Sequence, residues 1–422
     1  MKRGINLEEA QSLNRALVIR LLRTLRVCSR AEIAKRSGLK QSTITNIIGD
    51  FIRWGLVAER GIINGRKGRR SIGISLNTDL FKVVAVRLTR KHFSVGLFDL
   101  WGTGKIVRQE PLEVLDGSRR AVKRIVDAVT ELVASRKHRI LGIGVAIPGP
   151  FFRAEGKIAL MTEFPGWEKI SLEKELRSAF RIPVFLEHDA NAAALAEWWL
   201  GAHGRESGTM VYVAAGQGVG AGIVIDGHLY RGTLGTAGEI GHMSIEFDGP
   251  RCECGNNGCL EHYCSTIALQ REVKRSLVDF RSSSLQRDHT LAAIFKAAHA
   301  GDDLAVREVR RAGSFLGFGL VNVISLLNPD VIMIGDDMAR GGTLLLEAVQ
   351  QTVRSHTLPC IHQSVQIELS AFQTDPVLVG VVTLVIENVL QTPSSLRELA
   401  GSENGQALPG EPHSKPSRGI RS

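Results

Sequence analysis

Residues 238–242 read Gly-Glu-Ile-Gly-His, and residues 252–261 read Cys-Glu-Cys-Gly-Asn-Asn-Gly-Cys-Leu-Glu. Three thiols and one imidazole that converge through a glycine-rich loop match the ligand set of a tetrahedral Cys3His zinc site. Four protein ligands leave no open coordination position, so we expect the zinc to be structural and to hold a loop with little core of its own. The candidate metal ligands are His242, Cys252, Cys254 and Cys259.

The same cysteines allow a second interpretation, a disulfide, which a reducing cytosol disfavours. The other three cysteines lie outside the pattern. Cys264 is close but offset, and Cys28 and Cys360 stand in apolar sequence surroundings. We expect these three cysteines to bind no metal.

On both sides of this loop the sequence alternates between strand and helix patterns. A buried strand ends at Pro148, another leads into a helix over residues 189–199, and a second half repeats the theme. The alternation predicts an α/β body over residues 80–391, with two lobes, a cleft between them and the metal loop at residues 242–261. The predicted strands cover residues 83–86, 92–98, 140–147, 184–187, 210–213 and 331–335.

The first 75 residues carry most of the positive charge. They hold 16 Lys/Arg and 5 Asp/Glu, a net charge of +11, whereas the other 347 residues together carry −1. A basic head on a near-neutral body is typical of nucleic-acid binding, although charge alone also fits a solvated basic surface.

The head has the pattern of a winged helix-turn-helix domain over residues 1–76. Ser29 and Glu32 fit a capping box before a short helix that stops at Gly38. A third helix follows and ends at Trp54-Gly55, and two short strands at 56–58 and 71–74 enclose a glycine-rich loop. Helical spacing places Leu13, Ala16, Leu17, Leu21 and Leu25 on one face of the first helix, and Ile44, Ile47, Ile48, Phe51 and Ile52 on one face of the third.

Short polar side chains near the start of the third helix predict contacts with base edges, although they also fit capping and solvation of the helix. The loop between the strands carries cations that suit a narrow minor groove or phosphates, and the sequence does not separate these two. The candidate DNA-contacting residues are Lys40, Gln41, Ser42, Thr43, Thr45, Asn46, Arg66, Lys67, Arg69 and Arg70.

The chain start has no apolar signal segment, and no apolar run reaches the roughly 18 residues of a membrane span, so we expect a cytoplasmic protein without membrane contact. Residues 392–422 are rich in Pro, Ser, Gly and charge. They have too few large apolar groups to offset chain entropy, which predicts a disordered tail.

The E-x-G-H motif at 239–242 with the C-x-C-G-x-x-G-C-x-E motif at 252–261 resembles the signature of the ROK family (repressors, open reading frames and sugar kinases). The resemblance spans about residues 12–391, and the winged head looks like that of the family's repressors of xylose and N-acetylglucosamine genes. It implies an actin/hexokinase-like body of two lobes.

Family kinases bind their sugar through an Asn-Asp pair, the Glu and His of E-x-G-H and the Glu after the last cysteine. The resemblance therefore implies a sugar-binding site in which His188 replaces the Asn and Asp189 stands where the catalytic base would be. Carboxylates and imidazoles suit a polyol, although helix capping and ion pairing would also account for these residue types. The implied site residues are His188, Asp189, Glu239, His242 and Glu261.

Two of the three elements that hold ATP in family kinases are altered. The resemblance places Arg87-Leu88-Thr89-Arg90-Lys91 where these kinases have Asp-x-Gly-Gly-Thr, whose Asp helps to hold magnesium. Asp336 and Asp337 follow Gly335 where relatives usually have paired glycines, and a glycine-rich loop at 216–222 is kept. We therefore expect no kinase activity and assign no catalytic residue.

Three functions fit these observations. The leading hypothesis is a repressor of carbohydrate genes that binds double-stranded operator DNA as a homodimer or dimer of dimers and responds to a sugar or sugar derivative. The second is an active ATP-dependent sugar kinase with an appended head. The third is a constitutive DNA-binding or activating protein whose sugar pocket has decayed, for which His188 is the main indication.

Overall fold

The computed structural model describes residues 7–64, 70–113, 117–134, 138–153, 155–158, 166–202, 208–372 and 375–391. Three of the predicted wing contacts, Arg66, Lys67 and Arg69, lie outside these ranges, as does the predicted tail over 392–422. None of the helices in these ranges is long and apolar enough to cross a membrane.

The head consists of three helices and a two-stranded antiparallel sheet, as predicted. The Ser29 hydroxyl accepts the Glu32 amide at the start of the second helix, and Gly38 ends that helix in the left-handed region at φ 71°, which glycine adopts without steric cost. The elements are α1 (Leu7–Leu25), α2 (Arg30–Ser37), α3 (Gln41–Arg53), β1 (Val57–Asn64) and β2 (Arg70–Leu76).

Several details of the predicted head are wrong. The Glu32 carboxylate accepts from Arg36 rather than returning to the Ser29 amide, so only half of the capping box forms. Both strands are longer than predicted, because pairing continues up to Asn64 and Arg70. Leu13 and Ile52 are 49% and 36% exposed, and α1 instead buries Val18, Ile19, Leu22 and Arg23.

The first lobe is a five-stranded sheet in the order β5-β4-β3-β6-β9. Strands β3, β4 and β5 form an antiparallel meander, and β6 and β9 extend it in parallel. A short hairpin, β7 and β8, lies apart from this sheet. The elements are β3 (Phe81–Leu88), β4 (His92–Asp99), β5 (Gly104–Pro111), α4 (Gly117–Ala134), β6 (Arg139–Ile147), β7 (Phe151–Phe152), β8 (Lys157–Ile158), α5 (Leu172–Ala179) and β9 (Val184–His188).

The second lobe repeats this plan in the order β12-β11-β10-β13-β14, with an antiparallel hairpin followed by parallel strands. The predicted two-lobed α/β body is therefore confirmed. Its elements are β10 (Thr209–Ala215), β11 (Val219–Ile225), β12 (His228–Leu229), α7 (Glu261–Cys264), α8 (Thr266–Ser276), α9 (Leu291–His299), α10 (Asp303–Leu327), β13 (Val331–Gly335), α11 (Gly342–His356), α12 (Pro359–His362) and β14 (Gln366–Leu369).

Two buried helices, α6 (Asp189–Leu200) and α13 (Pro376–Gln391), join the parts of the molecule. Their apolar side chains share one core with residues of both sheets and with the buried face of α1. The head is therefore packed directly on the body through α1.

Candidate functional site

A cleft of about 300 Å³ lies between the two lobes. Its walls come from the ends of β3, β6, β9 and β13 and from the β10–β11 turn, in agreement with the rule that open α/β sheets bind ligands beyond the carboxyl ends of their parallel strands. The structure brings all five predicted sugar-binding residues to this cleft: His188, Asp189, Glu239, His242 and Glu261.

At one end of the cleft, which we call the effector end, His188 and Asp189 meet at the junction of β9 and α6. The His188 Nε2 atom lies 3.2 Å from Asp189 Oδ1, which also accepts the Ala190 amide. Burial raises the pKa of Glu239, and the neighbouring His188 and His242 oppose this rise. His188 Nδ1 is buried and has no hydrogen-bond partner among the described residues. This end therefore offers carboxyl and imidazole groups with free hydrogen-bonding capacity.

The predicted metal ligands form a compact cluster beside the effector end. The ligand atoms of His242, Cys252, Cys254 and Cys259 all lie within 4.8 Å of one another, so the cluster could hold a metal ion. The thiols are free. The Cys254 and Cys259 sulfurs are 3.7 Å apart, well beyond the roughly 2.05 Å of a disulfide bond.

The chemistry of this donor set fits a cation. Burial, together with the two neighbouring thiols, raises the pKa of Cys259, whereas a bound cation would favour the thiolate. The cluster also borders the cleft, because Glu261 Oε1 lies 3.6 Å from Cys252 Sγ and 3.5 Å from His242 Nδ1. Of the cysteines expected to be unliganded, Cys28 and Cys264 are buried and Cys360 is exposed.

At the other end of the cleft, the nucleotide end, Arg87 is held by two acids. Its Nη1 lies 2.7 Å from Asp375 Oδ2, and its Nη2 lies 3.6 Å from Asp336 Oδ2. Burial lowers the pKa of Arg87, but Asp375 and Asp336 outweigh that effect and raise it. Burial also raises the pKa of Asp336 to about 6, against the pull of Arg87. Arg87 of the first lobe and Asp336 of the second, which stand where family kinases hold ATP, thus pair their opposite charges across the cleft.

Sequence reasoning missed the roles of two residues, one beside the cleft and one in its wall. Asp375 precedes Pro376 and a long apolar run, a pattern of a helix start, but nothing in the sequence pairs it with Arg87. Arg90 lines the cleft and has no ion-pair partner among the described residues. The glycine-rich turn places the Gly218 backbone against its guanidinium.

Six of the predicted DNA-contacting residues lie at the start of α3 or directly before it and form one face. Ile44, Ile47, Ile48 and Phe51 are buried on the opposite face, and the Thr45 hydroxyl donates to the Gln41 carbonyl oxygen over 2.9 Å. Arg70, at the start of β2, is also exposed. The exposed residues of the face are Lys40, Gln41, Ser42, Thr45 and Asn46, with Thr43 half-buried beside them.

Comparison with known proteins gives consistent matches. The model of the ROK family matches residues 83–388. The xylose repressor of Caldicellulosiruptor bescii is 28% identical over 391 residues, 91% of this chain and 98% of that protein. The DNA-binding transcriptional dual regulator NagC of Escherichia coli is 31% identical over 358 residues, 84% of this chain and 87% of NagC.

The crystal structure of a ROK family transcriptional regulator, a homologue of the Escherichia coli MLC protein, superposes with a TM-score of 0.76 at 26% identity. It covers 92% of this chain and 99% of that chain. With more than nine-tenths of the chain covered, the similarity extends into the head. The predicted fold, a winged head on a two-lobed actin-like body, is confirmed.

Proposed function

Because the chain belongs to the ROK family, we propose that it is a sugar-responsive transcriptional repressor of carbohydrate genes and not an enzyme. Its head binds double-stranded operator DNA, and its cleft binds a sugar or sugar derivative that changes operator affinity. It acts as a homodimer or a dimer of dimers, since palindromic operators match two-fold symmetric proteins. Operator binding places it in the cytoplasm.

The state of the nucleotide end carries this proposal. Phosphoryl transfer needs magnesium and phosphates held by acids, glycine backbone and cations. Here Arg87 stands in that place and pairs with Asp375 and Asp336. Magnesium would meet a cation, and nucleotide phosphates would meet Asp336 and Asp337. The effector end, in contrast, keeps Asp189, Glu239, His242 and Glu261, with His188 in place of the Asn of family kinases.

The exposed face of α3 supports the DNA-binding part. Gln41 and Asn46 carry amides that match the N6 and N7 pattern of adenine in the major groove, and each good bidentate contact is worth about 1–3 kcal/mol of discrimination. Arg66, Lys67, Arg69 and Arg70 would add phosphate or minor-groove contacts.

Zinc in the Cys3His cluster would be structural. Held by His242, Cys252, Cys254 and Cys259, it would supply the charge that keeps the thiols ionised and would fix the loop between them. His242 and Glu261 both touch this cluster and the cleft, so the loop sets their positions toward an effector.

The second candidate, an active sugar kinase, is favoured by the retained glycine-rich turn and by Asp189 in the base position. A constitutive DNA-binding protein is favoured by His188 alone. Operator binding, sugar phosphorylation and the heat of sugar binding together separate the three functions.

The assay selects an operator from random duplex DNA with the intact protein and then measures operator affinity against a panel that includes xylose and N-acetylglucosamine. We expect at least one sugar to change the affinity about 5–150-fold. Asp189→Asn should abolish that response and keep operator affinity. The matched control Asp127→Asn alters an exposed residue of α4 whose carboxylate pairs with Lys123.

Two results would contradict the proposal. ATP-dependent phosphorylation of a sugar that is lost in Asp189→Asn would establish the kinase. Operator affinity that is indifferent to the whole panel, together with no heat of sugar binding, would favour the constitutive protein.

A further inference from the structure

The interface between head and body contains a buried arginine that neither the fold nor the cleft explains. Arg23 on α1 is only 2% exposed and is among the largest fully buried side chains of the described residues. Its Nη1 donates to the Thr383 hydroxyl on α13 over 3.0 Å. Its guanidinium also lies over the Trp199 ring on α6, 5.5 Å from the centroid. A residue of the DNA-binding head thus contacts both buried helices of the body.

This arginine is poorly satisfied. Its Nε and Nη2 atoms are buried without a hydrogen-bond partner among the described residues. Burial lowers its pKa to about 10, opposed by the nearby Glu387, whose carboxylate accepts a hydrogen bond from the Trp199 side chain. A buried cation with unmet donors costs stability that an apolar side chain of similar length would not cost. Stabilisation of the fold alone therefore does not account for an arginine at this position.

We call Arg23, Trp199, Thr383 and Glu387 the joint. Of the two body helices that form it, α6 begins in the lining of the cleft, and α13 begins beside Arg87, which lines the cleft. Asp189 is the first residue of α6, and Asp375, the partner of Arg87, directly precedes α13. Trp199 lies near the end of α6, and Thr383 and Glu387 lie farther along α13. Each helix thus connects an acid in or beside the cleft with the joint, and from Asp189 to Trp199 the distance along α6 is about 15 Å at about 1.5 Å per residue.

These two helices are packed as one unit. A side chain at Gly380 of α13 would collide with the backbone oxygen of Ala192 on α6, so the helix backbones touch. Close-packed helices move as rigid bodies rather than deform. A ligand that shifts Asp189 or changes the Arg87–Asp375 pair therefore shifts the far ends of both helices.

We propose that Arg23 is a positioning residue through which the cleft sets the placement of α1 and hence of the DNA-binding head. The inference rests on the proposed function, because it supplies the physical link between effector and operator. Thr383 is the one hydrogen-bond acceptor of Arg23 among the described residues. A small movement of Thr383 relative to Trp199 therefore strengthens or weakens the contacts that stabilise the buried guanidinium. The cleft can therefore bias the placement of the joint by changing how well Arg23 is hydrogen-bonded.

The test measures hydrogen exchange of the α1 amides, residues 7–25, in the full chain, and it needs no known effector. Asp375→Asn perturbs the cleft end of α13. We expect it to change α1 exchange rates about 5-fold or more when Arg23 is present, the lower end of typical coupling. In an Arg23→Met background, which keeps the stem but removes the charge, the same change should have almost no effect on α1. In the control background Arg275→Met, an exposed residue of α8, the full effect should remain.

A second pair of variants protects the test against misfolding of Arg23→Met. Thr383→Val removes the acceptor of Arg23 and should reduce the effect of Asp375→Asn, whereas Thr383→Ser keeps a hydroxyl and should restore it. A purely structural role would alter melting temperature equally with and without Asp375→Asn. An undiminished response of α1 to Asp375→Asn in the Arg23→Met or Thr383→Val background, or no response of α1 in any background, overturns the inference.

The same variants separate this inference from the proposed function. With the selected operator and a responsive sugar, Arg23→Met should keep both operator affinity and the heat of sugar binding but lose the effect of one on the other. If no sugar alters operator affinity in the wild-type protein, the proposed function fails, and hydrogen exchange still decides whether the cleft and α1 are coupled.

Discussion

The two ends of the cleft satisfy their charges in opposite ways. At the nucleotide end Arg87 is neutralised by Asp375 and Asp336 within the protein. At the effector end burial raises the pKa of Glu239, and His188 keeps a buried nitrogen without a partner among the residues described. Charges that pair within the protein stabilise the fold, whereas an unpartnered polar atom in the wall of a cleft is available to a ligand. Arg87 also keeps one such atom, its buried Nε, but its charge is paired. This contrast underlies our proposal that the cleft binds a polyol and does not bind a nucleotide.

The largest expected effect comes from the metal loop beside the effector end. Cys254→Ser should remove bound zinc and lower the free energy of unfolding by more than about 5 kcal/mol, since structural zinc contributes about 10–16 kcal/mol in small motifs. Elemental analysis and chemical denaturation measure the two quantities. Cys360→Ser, an exposed cysteine outside the cluster, is the control. Metal-free wild-type protein that melts normally would refute the zinc assignment.

The next effect concerns the nucleotide end. Arg87→Leu leaves two acids of the cleft without their cation, which should cost up to about 3–5 kcal/mol of stability, the cost of breaking a buried ion pair. Arg36→Leu breaks an exposed pair with Glu32 and should cost at most about 1 kcal/mol. Equal costs for the two variants would mean that the Arg87 cluster is not the internal neutralisation described above.

The cost of Arg87→Leu should also depend on pH. Burial already raises the pKa of Asp336 to about 6, and loss of Arg87 raises it further. A carboxyl group whose pKa is higher in the folded state binds more protons when folded, so stability falls as pH rises. Denaturation of the variant should therefore show a larger loss at about pH 8 than at about pH 5, on either side of that raised pKa. A loss that is independent of pH would contradict this electrostatic account.

If the cleft performs no chemistry, the activity to be measured is DNA binding by the head. Arg69→Ala combined with Arg70→Ala should weaken operator binding and reduce the slope of log affinity against log salt by about one unit per lost phosphate contact. Titrations over a range of salt concentrations measure this slope. An unchanged slope would show that the wing does not touch DNA.

The smallest effect is expected at the joint. Burial raises the pKa of Glu387 to about 7, and Arg23 opposes the rise. Stability should therefore fall as pH rises from the ordinary carboxyl range to about 7, and Glu387→Gln should make that decline shallower. Glu347→Gln, an exposed residue of α11, should leave the decline as it is. A decline that is just as steep in Glu387→Gln would assign it to other carboxyl groups.

Local patterns predicted the elements and the metal ligands well, because strand alternation, the Gly38 helix end and the spacing of Cys252, Cys254 and Cys259 depend on neighbours in sequence. The five effector residues came from a resemblance, and the structure brings them together. What sequence reasoning missed depends on long-range packing. Asp375 meets Arg87 across 288 positions, and Arg23 meets Thr383 across 360. The buried face of α1 was predicted wrongly for the same reason, since the buried residues of α1 pack against α13 of the body and not only against the head.

The most direct test of the account is calorimetric titration of the intact protein with magnesium-ATP and, separately, with the sugar panel. The account predicts saturable heat for at least one sugar and none for magnesium-ATP at millimolar concentrations, with or without that sugar. Saturable binding of magnesium-ATP, followed by turnover of the bound sugar, would contradict it.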